Sequence, residues 1–280
     1  MHQIEADKLL EQVRDMVLRV GTQLPRDVRN ALEQSRQGES DSRAAEILRQ
    51  LEENADLARD TRLPLCQDTG MAVFFVEHGE ECRIRDRGLT EVLNEAMARA
   101  YSEGYFRTSM CHPLTRANTG DNTPALIHTD LVPGSSIRIR FMAKGGGSEN
   151  MSRCAVLTPA QGWQGIKDFV LDRVAAAGPN PCPPTIVGLG VGGSFDQAPL
   201  LAKQALFRPL DREHPDPEVA EMERELLQEI NSLGIGPMGL GGRTTSLGVR
   251  MEISPCHIAS LPVAVNIQCH SSRHAEVLVT

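Results

Sequence analysis

The sequence predicts an α/β protein with mixed β-sheets packed with helices and a helical N-terminal region. Three observations lead to this prediction. Up to about residue 60 the chain shows only helical periodicity, strand-like and helical patterns alternate after Gly70, and the spacing between them is irregular. Residues 1–280 are therefore expected to form a single domain, with a helical region over 1–60 and an α/β region over 61–280.

Three helices are predicted in the N-terminal region. Apolar residues at helical spacing indicate an amphipathic helix over residues 4–20. Pro25 suits the start of a second helix, which continues to about Gln37, because the first turn of a helix does not need the missing N–H. A third helix is expected from about Asp41 to Arg59. This region contains none of the candidate chemical groups described below, and we expect it to be a packing layer or a partner contact.

The remainder of the chain alternates between short apolar runs and amphipathic stretches. Strands are predicted over residues 71–76, 135–142, 185–191, 247–253 and 263–269, and helices over residues 89–103, 162–177, 196–206 and 217–232. In the second strand, Ile137 and Phe141 alternate with arginines, which is typical of a half-buried strand. The charged, proline-containing stretch 211–217 is interpreted as a surface loop.

Composition excludes several classes of protein. The chain has 280 residues and a net charge of −8, with 29 basic and 37 acidic side chains. This balance disfavours a nucleic-acid partner, because phosphate binding needs clustered Lys and Arg. No segment approaches the roughly 20 apolar residues of a membrane span, and the N-terminus lacks the pattern of a signal peptide. We therefore expect a cytoplasmic protein that binds neither nucleic acid nor membrane.

Seven cysteines occur, without any C-x-x-C pair. This pattern argues against a disulfide framework, a zinc ribbon or a ferredoxin-type electron carrier. An odd number fits thiols or metal ligands. Four of the cysteines are interpreted as small buried apolar residues, namely Cys82, Cys111, Cys154 and Cys256. Spacing alone does not identify which cysteines would bind a metal.

Three glycine-rich stretches interrupt the predicted elements, at residues 145–147, 188–193 and 234–242. The first two follow predicted strands, and glycines there let backbone N–H groups approach an anion. Neither matches a phosphate-binding loop or a dinucleotide fingerprint. A small dicarboxylate suits both better, with tight turns alone as the alternative. The third stretch indicates backbone held close to a ligand, a neighbouring subunit or a metal site.

A polar segment over residues 107–122 contains few apolar side chains and many hydrogen-bond donors. Arginine can grip a carboxylate with two parallel hydrogen bonds, so Arg107 and Arg116 are both candidates for binding an acidic substrate. Local Asx turns are an alternative explanation for the asparagines at its end.

Several long motifs, in the same order, resemble the class I (iron–sulfur) fumarases and tartrate dehydratases, specifically their α subunit or the N-terminal half of the single-chain forms. The motifs are residues 65–70 (LCQDTG), 116–122 (RANTGDN), 144–151 (KGGGSENM), 183–193 (PPTIVGLGVGG) and 257–269 (HIASLPVAVNIQC). The resemblance covers about residues 60–275.

This resemblance implies a [4Fe–4S] cluster held by Cys66, Cys182 and Cys269. Three cysteine ligands leave one iron without a protein ligand, and such an iron acts as a Lewis acid that polarises the C–O bond of a hydroxy acid. Cys182 precedes the double proline, and Cys269 is expected to end the final strand.

The resemblance also implies roles for other residues. Asp68 would act as acid and base for the departing or entering water, and His257 would bind near the substrate or tune Asp68. A buried histidine of the core is the alternative for His257. Carboxylate contacts are implied for Gln67, Arg107 and Gly146. Arg116 competes with Arg107 for this role.

The related enzymes complete their active site with a second, smaller β domain, and nothing of that kind follows Cys269 before the chain ends at Thr280. A β subunit is therefore the expected partner, in an α2β2 or larger assembly acting on a small dicarboxylate, and the isolated chain should have little activity. The first expectation for the reaction is reversible hydration of fumarate to (S)-malate, and the alternative is dehydration of L-tartrate to oxaloacetate. Other classes left open are an iron–sulfur redox or sensor protein and an apo assembly subunit.

Overall fold

The computed structural model describes residues 2–280 and, within that range, contains eight α-helices and ten β-strands. The helices are α1 (Ala6–Thr22), α2 (Arg26–Gly38), α3 (Ser42–Thr61), α4 (Leu89–Glu103), α5 (Gly146–Glu149), α6 (Gly162–Ala177), α7 (Gln197–Ala205) and α8 (Pro217–Ser232). The strands are β1 (His2–Glu5), β2 (Met71–Gly79), β3 (Cys82–Arg85), β4 (Leu126–Val132), β5 (Ile137–Lys144), β6 (Arg153–Leu157), β7 (Thr185–Gly192), β8 (Ser246–Ser254), β9 (Leu261–Gln268) and β10 (Arg273–Val279).

The predicted α/β class with a helical N-terminal region is confirmed, and two boundaries are corrected. The first helix begins at Ala6 rather than at residue 4, because Ile4 and Glu5 belong to β1, which pairs in parallel with β3. Cys269 does not end the final strand. It follows directly after β9, and β10 comes later in the chain.

Close packing divides the chain into two compact units. The first comprises the segment up to Pro25 together with Asn54–Gly146 and Arg273–Thr280. Its sheet has the strand order β10-β5-β2-β4, in which β2 is antiparallel to β5 and parallel to β4. Helices α1 and α4 share an apolar core with this sheet, and Phe74 and Phe141 lie in that core with ring centroids 5.1 Å apart. The predicted alternation along β5 is confirmed, since its odd-numbered residues 137–141 are buried and its arginines are half-buried.

The second unit comprises Arg26–Glu53 and Gly147–Ser272, and its sheet has the order β6-β9-β7-β8. Helix α7 lies against β7 at two glycines, Gly188 and Gly190. A Cβ on either would collide with a carbonyl oxygen of α7, of Ala202 and Ala198 respectively. Both glycines lie inside the strand, so the prediction that this part of the stretch approaches a ligand is wrong. They are required there because only a residue without a side chain allows the helix so close.

A buried ionic cluster joins α8 to β8 in the second unit. The Glu223 carboxylate, whose residue is 5% exposed, accepts a hydrogen bond of 2.6 Å from the backbone N–H of Met251 and is paired with Arg208. Arg250 lies 3.8 Å from the same carboxylate. Burial lowers the pKa of Arg250, and the charge of Glu223 opposes that shift. Glu223 therefore faces two arginines that are largely removed from water, and Glu252 lies 3.9 Å from one of them, Arg208.

Among residues 2–280, no helix is both long enough and apolar enough to cross a membrane.

Candidate functional site

The segment 65–70 connects α3 to β2 in the first unit, and Asp68 fixes its conformation. Oδ1 of Asp68 accepts a hydrogen bond of 3.0 Å from the N–H of Gly70, and Oδ2 accepts one of 2.7 Å from the N–H of Gly146. The preceding Cys66 is half-buried, with its Sγ 3.6 Å from Oε1 of Gln67. The carboxylate thus links its own turn to the first glycine-rich stretch.

Three buried side chains hold the backbone carbonyls of residues 68–70. Arg273, which is 1% exposed, donates through Nη2 to the carbonyl of Asp68 at 2.6 Å. The Tyr101 hydroxyl lies 2.9 Å from the carbonyl of Thr69 and 2.8 Å from that of Gly70, so its proton is shared between them. Nδ2 of Asn122 also donates to the carbonyl of Gly70, at 3.0 Å. The turn that carries Asp68 is therefore fixed by elements distant in sequence.

Tyr101 keeps its proton in this environment. Burial raises the pKa of Tyr101 to about 12, while the positive charge of Arg273 acts in the opposite direction. The hydroxyl therefore remains a hydrogen-bond donor at neutral pH.

A pocket of about 320 Å³ opens beside this turn in the first unit. Its lining includes Gln67, Asp68, Arg107, Ser109, Lys144 and Gly146. Four of the predicted site residues are thus brought together. Two of the other lining residues, Ser109 and Lys144, were missed in the sequence, although Lys144 begins the KGGGSENM motif and is fully buried. The combination of an aspartate, two cations and a bare glycine backbone suits a small anionic ligand.

Arg107 and Arg116 differ in their placement. Arg107 lines the pocket, and its carbonyl accepts a hydrogen bond of 2.6 Å from Oγ1 of Thr69. Arg116 stands at an exposed turn with a φ of +63°, and its Nη1 donates to the carbonyl of Pro113 at 3.5 Å. The geometry therefore favours Arg107 as the carboxylate-binding arginine.

In the second unit, Cys182 and Cys269 belong to neighbouring segments. His270, which directly follows Cys269, places its Nδ1 2.9 Å from the carbonyl oxygen of Cys182. The third glycine-rich stretch supports the Cys182 loop, because the N–H of Met238 donates to the carbonyl of Pro183 at 2.7 Å. Of the three alternatives for that stretch, which were a ligand, a neighbouring subunit and a metal site, the observed contact is with the loop that carries the candidate metal ligand Cys182.

His257 lies in the loop between β8 and β9 and is exposed, so the interpretation as a core histidine is wrong. Its Nδ1 accepts a hydrogen bond of 3.1 Å from the N–H of Ala259. In the neutral ring this places the proton on Nε2, which is then available as a donor. The same loop borders an apolar groove of about 380 Å³ that includes Trp163, and Ile258 is 92% exposed.

All seven cysteines are thiols rather than disulfides. Among those interpreted as buried, Cys82 is buried, Cys111 and Cys154 are half-buried, and Cys256 is exposed, which corrects the interpretation for Cys256. Burial raises the thiol pKa of both Cys82 and Cys154, which disfavours the thiolate form that binds metals.

The three cysteines singled out by the resemblance are all half-buried thiols, Cys66 in the first unit and the other two in the second. Soft thiolate donors of this kind are the ligands that iron–sulfur clusters require, so the donor chemistry fits. Among residues 2–280, no three His, Cys, Asp or Glu side chains are grouped closely enough to form a ready site for a single metal ion.

Comparison with known proteins supports the sequence motifs. The family model described as "Fumarate hydratase (Fumerase)" matches residues 10–278. A protein of Methanocaldococcus jannaschii named "Putative L(+)-tartrate dehydratase subunit alpha" is 43% identical over 274 residues, which is 96% of each chain. Proteins named "L(+)-tartrate dehydratase subunit alpha" from Escherichia coli and Shigella sonnei are 33% and 32% identical over 277 residues, covering 98% of this chain and 91% of theirs.

Proposed function

This chain belongs to the fumarate hydratase (Fumerase) family, and on that premise we propose that it is the α subunit of an L(+)-tartrate dehydratase. The reaction would remove water from L-tartrate to give oxaloacetate. The observation that carries the proposal is the 43% identity, over 96% of both chains, to the M. jannaschii protein that bears this name.

Fumarate hydratase is the second candidate, because the family description itself names that reaction. It is the first expectation from the sequence, whereas the names of the relatives favour tartrate. Malate differs from tartrate by a single hydroxyl group. A site that pairs buried polar groups with that hydroxyl can discriminate strongly between the two.

The proposed cofactor is a [4Fe–4S] cluster with Cys66, Cys182 and Cys269 as its ligands. When bound, the cluster would supply a Lewis acid that polarises the C–O bond of the substrate. The thiol donor set supports this assignment. It is also supported by the raised pKa of Cys82 and of Cys154, which makes these two cysteines less suitable as thiolate ligands.

The proposed roles of the pocket residues follow from their chemistry. Asp68 is held by two backbone N–H groups, which leaves its carboxylate in a fixed orientation to take up or release the proton of water. Arg107 would bind one substrate carboxylate through both of its terminal nitrogens, with Gln67 and the backbone of Gly146 as further contacts. His257 would donate a proton or a hydrogen bond through Nε2.

A β subunit is the proposed partner, and an α2β2 or larger assembly is the proposed form. The relatives carry the name of an α subunit, which supports a second kind of chain in the functional enzyme. The base that removes the proton next to the second carboxylate would then come from the β subunit.

Anaerobic co-expression with a tartrate dehydratase β subunit tests the proposal. The purified complex should dehydrate L-tartrate faster than it hydrates fumarate, and the chain alone should have little or no activity. Faster turnover of fumarate would select the second candidate. Strong turnover by the chain alone would refute the β-subunit requirement, and reversible one-electron cycling without any lyase activity would indicate a redox or sensor protein.

A further inference from the structure

Asn122 connects the two parts of the pocket wall in the first unit. It is fully buried, and its Nδ2 donates to the carbonyl of Gly70 at 3.0 Å. Its Oδ1 accepts from the N–H groups of Ser109 and Met110 at 2.7 and 3.1 Å. A single amide thus ties the end of the Asp68 turn to the segment that follows Arg107.

In the described part of the chain, the guanidinium of Arg107 is not held in place by contacts of its own. Its side chain is exposed, and within residues 2–280 its guanidinium makes no hydrogen bond or ion pair. Its backbone is fixed at one end by the 2.6 Å bond from Thr69 to the carbonyl of residue 107, and two residues later by Asn122. The backbone position from which the Arg107 side chain reaches the pocket therefore depends on these anchors.

We propose that Asn122 is a positioning residue that sets the place of Arg107 relative to Asp68, and so the affinity for a substrate carboxylate. The inference rests on the proposed hydro-lyase function and assigns the control of carboxylate binding to a side chain outside the pocket lining. Anchoring of this kind matters because a displacement of about 1 Å removes the alignment that a bidentate arginine needs.

The backbone conformation at Asn122 permits substitutions that add no strain. Its φ of +63° is tolerated by asparagine, aspartate and glycine, so Asn122→Gly removes the amide without adding strain. Asn122→Asp keeps oxygen acceptors for the N–H groups of Ser109 and Met110 but loses the donor to Gly70. Comparing the two variants therefore separates the bond to Gly70 from the bonds to Ser109 and Met110.

The test uses the α–β complex and measures kcat and KM for tartrate and malate. A contact made equally in the ground state and the transition state changes KM rather than kcat. We expect Asn122→Gly to raise KM about tenfold with little change in kcat, and Asn122→Asp to raise it less. In an Arg107→Lys background, Asn122→Gly should have almost no further effect on KM, since the two residues act on one contact.

Hydrogen exchange on the same variants gives a readout independent of activity. The amides of Ser109 and Met110 should exchange faster in Asn122→Gly, with unchanged exchange in β7. The control is Asn94→Ala, which removes a comparable bond of 2.8 Å to the N–H of Ala125, between two residues that do not line the pocket, and should leave KM unchanged.

Three results would overturn the inference. The first is an unchanged KM in Asn122→Gly. The second is a double variant in which the KM increases of Asn122→Gly and Arg107→Lys multiply. The third is unaltered hydrogen exchange at the amides of residues 109 and 110 in Asn122→Gly. A wild-type complex that turns over no dicarboxylate marks failure of the proposed function itself, and the inference then falls with it.

Discussion

Replacing Tyr101 by phenylalanine removes one hydroxyl from the support of the Asp68 turn. The aromatic ring stays, including its edge-to-face contact with Phe106 at 5.3 Å. The carbonyl of Gly70 retains the donor from Asn122, whereas the carbonyl of Thr69 loses the Tyr101 donor. One buried acceptor left without that donor costs about 1–3 kcal/mol, and we expect the free energy of unfolding to fall by that amount at neutral pH.

The same hydroxyl makes the effect depend on pH. Because burial raises the pKa of Tyr101 to about 12 from an ordinary value of about 10, the folded state holds this proton more tightly than the unfolded state. The stability that this proton contributes is fully present below pH ~10 and is lost as the pH rises towards ~12. Each pH unit in that window corresponds to about 1.4 kcal/mol.

Urea unfolding of the wild type and Tyr101→Phe at pH 7 and pH 11 measures both effects. The difference between the two proteins should be about 1–3 kcal/mol at pH 7 and smaller by about 1.4 kcal/mol at pH 11. Tyr105→Phe, at a residue that is 91% exposed, serves as the matched control and should change neither value. A difference that stays constant or grows with pH would refute the reasoning.

Two further substitutions test the packing of the second unit by urea unfolding. Glu223→Gln removes the carboxylate shared by the largely buried Arg208 and Arg250 and should cost about 3–5 kcal/mol, whereas Glu221→Gln on the exposed side of the same helix should cost less than about 0.5 kcal/mol. Equal effects would contradict the assignment of a buried cluster. Gly190→Ala places a methyl group against the carbonyl of Ala198 and should lower the free energy of unfolding by about 1–3 kcal/mol or more. Gly38→Ala, where the added methyl group meets open space, should be neutral or slightly stabilising. A fully stable Gly190→Ala protein would show that the helix can move away at no cost.

The long helices could be predicted from the sequence because they bury one regular stripe. Helix α8 matches the predicted residues 217–232, and α6 matches 162–177. The strands missed by this reasoning are short or lie at sheet edges, where a pattern of alternation is weak. Strand β4 is an edge strand with mostly exposed or half-buried side chains, and β1 has four residues. Neither carries the apolar run that marks a buried strand.

Part of the candidate site could also be predicted, because Gln67, Asp68 and Gly146 stand in contiguous motifs that the fold brings to one pocket. The side chains that hold the site in place could not be predicted. Arg273 reaches the carbonyl of Asp68 across 205 positions of sequence, and no local pattern encodes that contact. The exposure of His257 also depends on how the β8–β9 loop lies, which residue type alone does not determine.

Cys66, Cys182 and Cys269 are the proposed ligands of an iron–sulfur cluster. Iron and sulfide counting after anaerobic reconstitution, with one cysteine replaced by serine at a time, tests it most directly. The wild type should hold about four irons per chain, each of these three variants should lose most of them, and Cys256→Ser, the matched exposed control, should retain them. Full iron content in any of the three variants, or loss of iron in the Cys256 variant alone, would contradict the account.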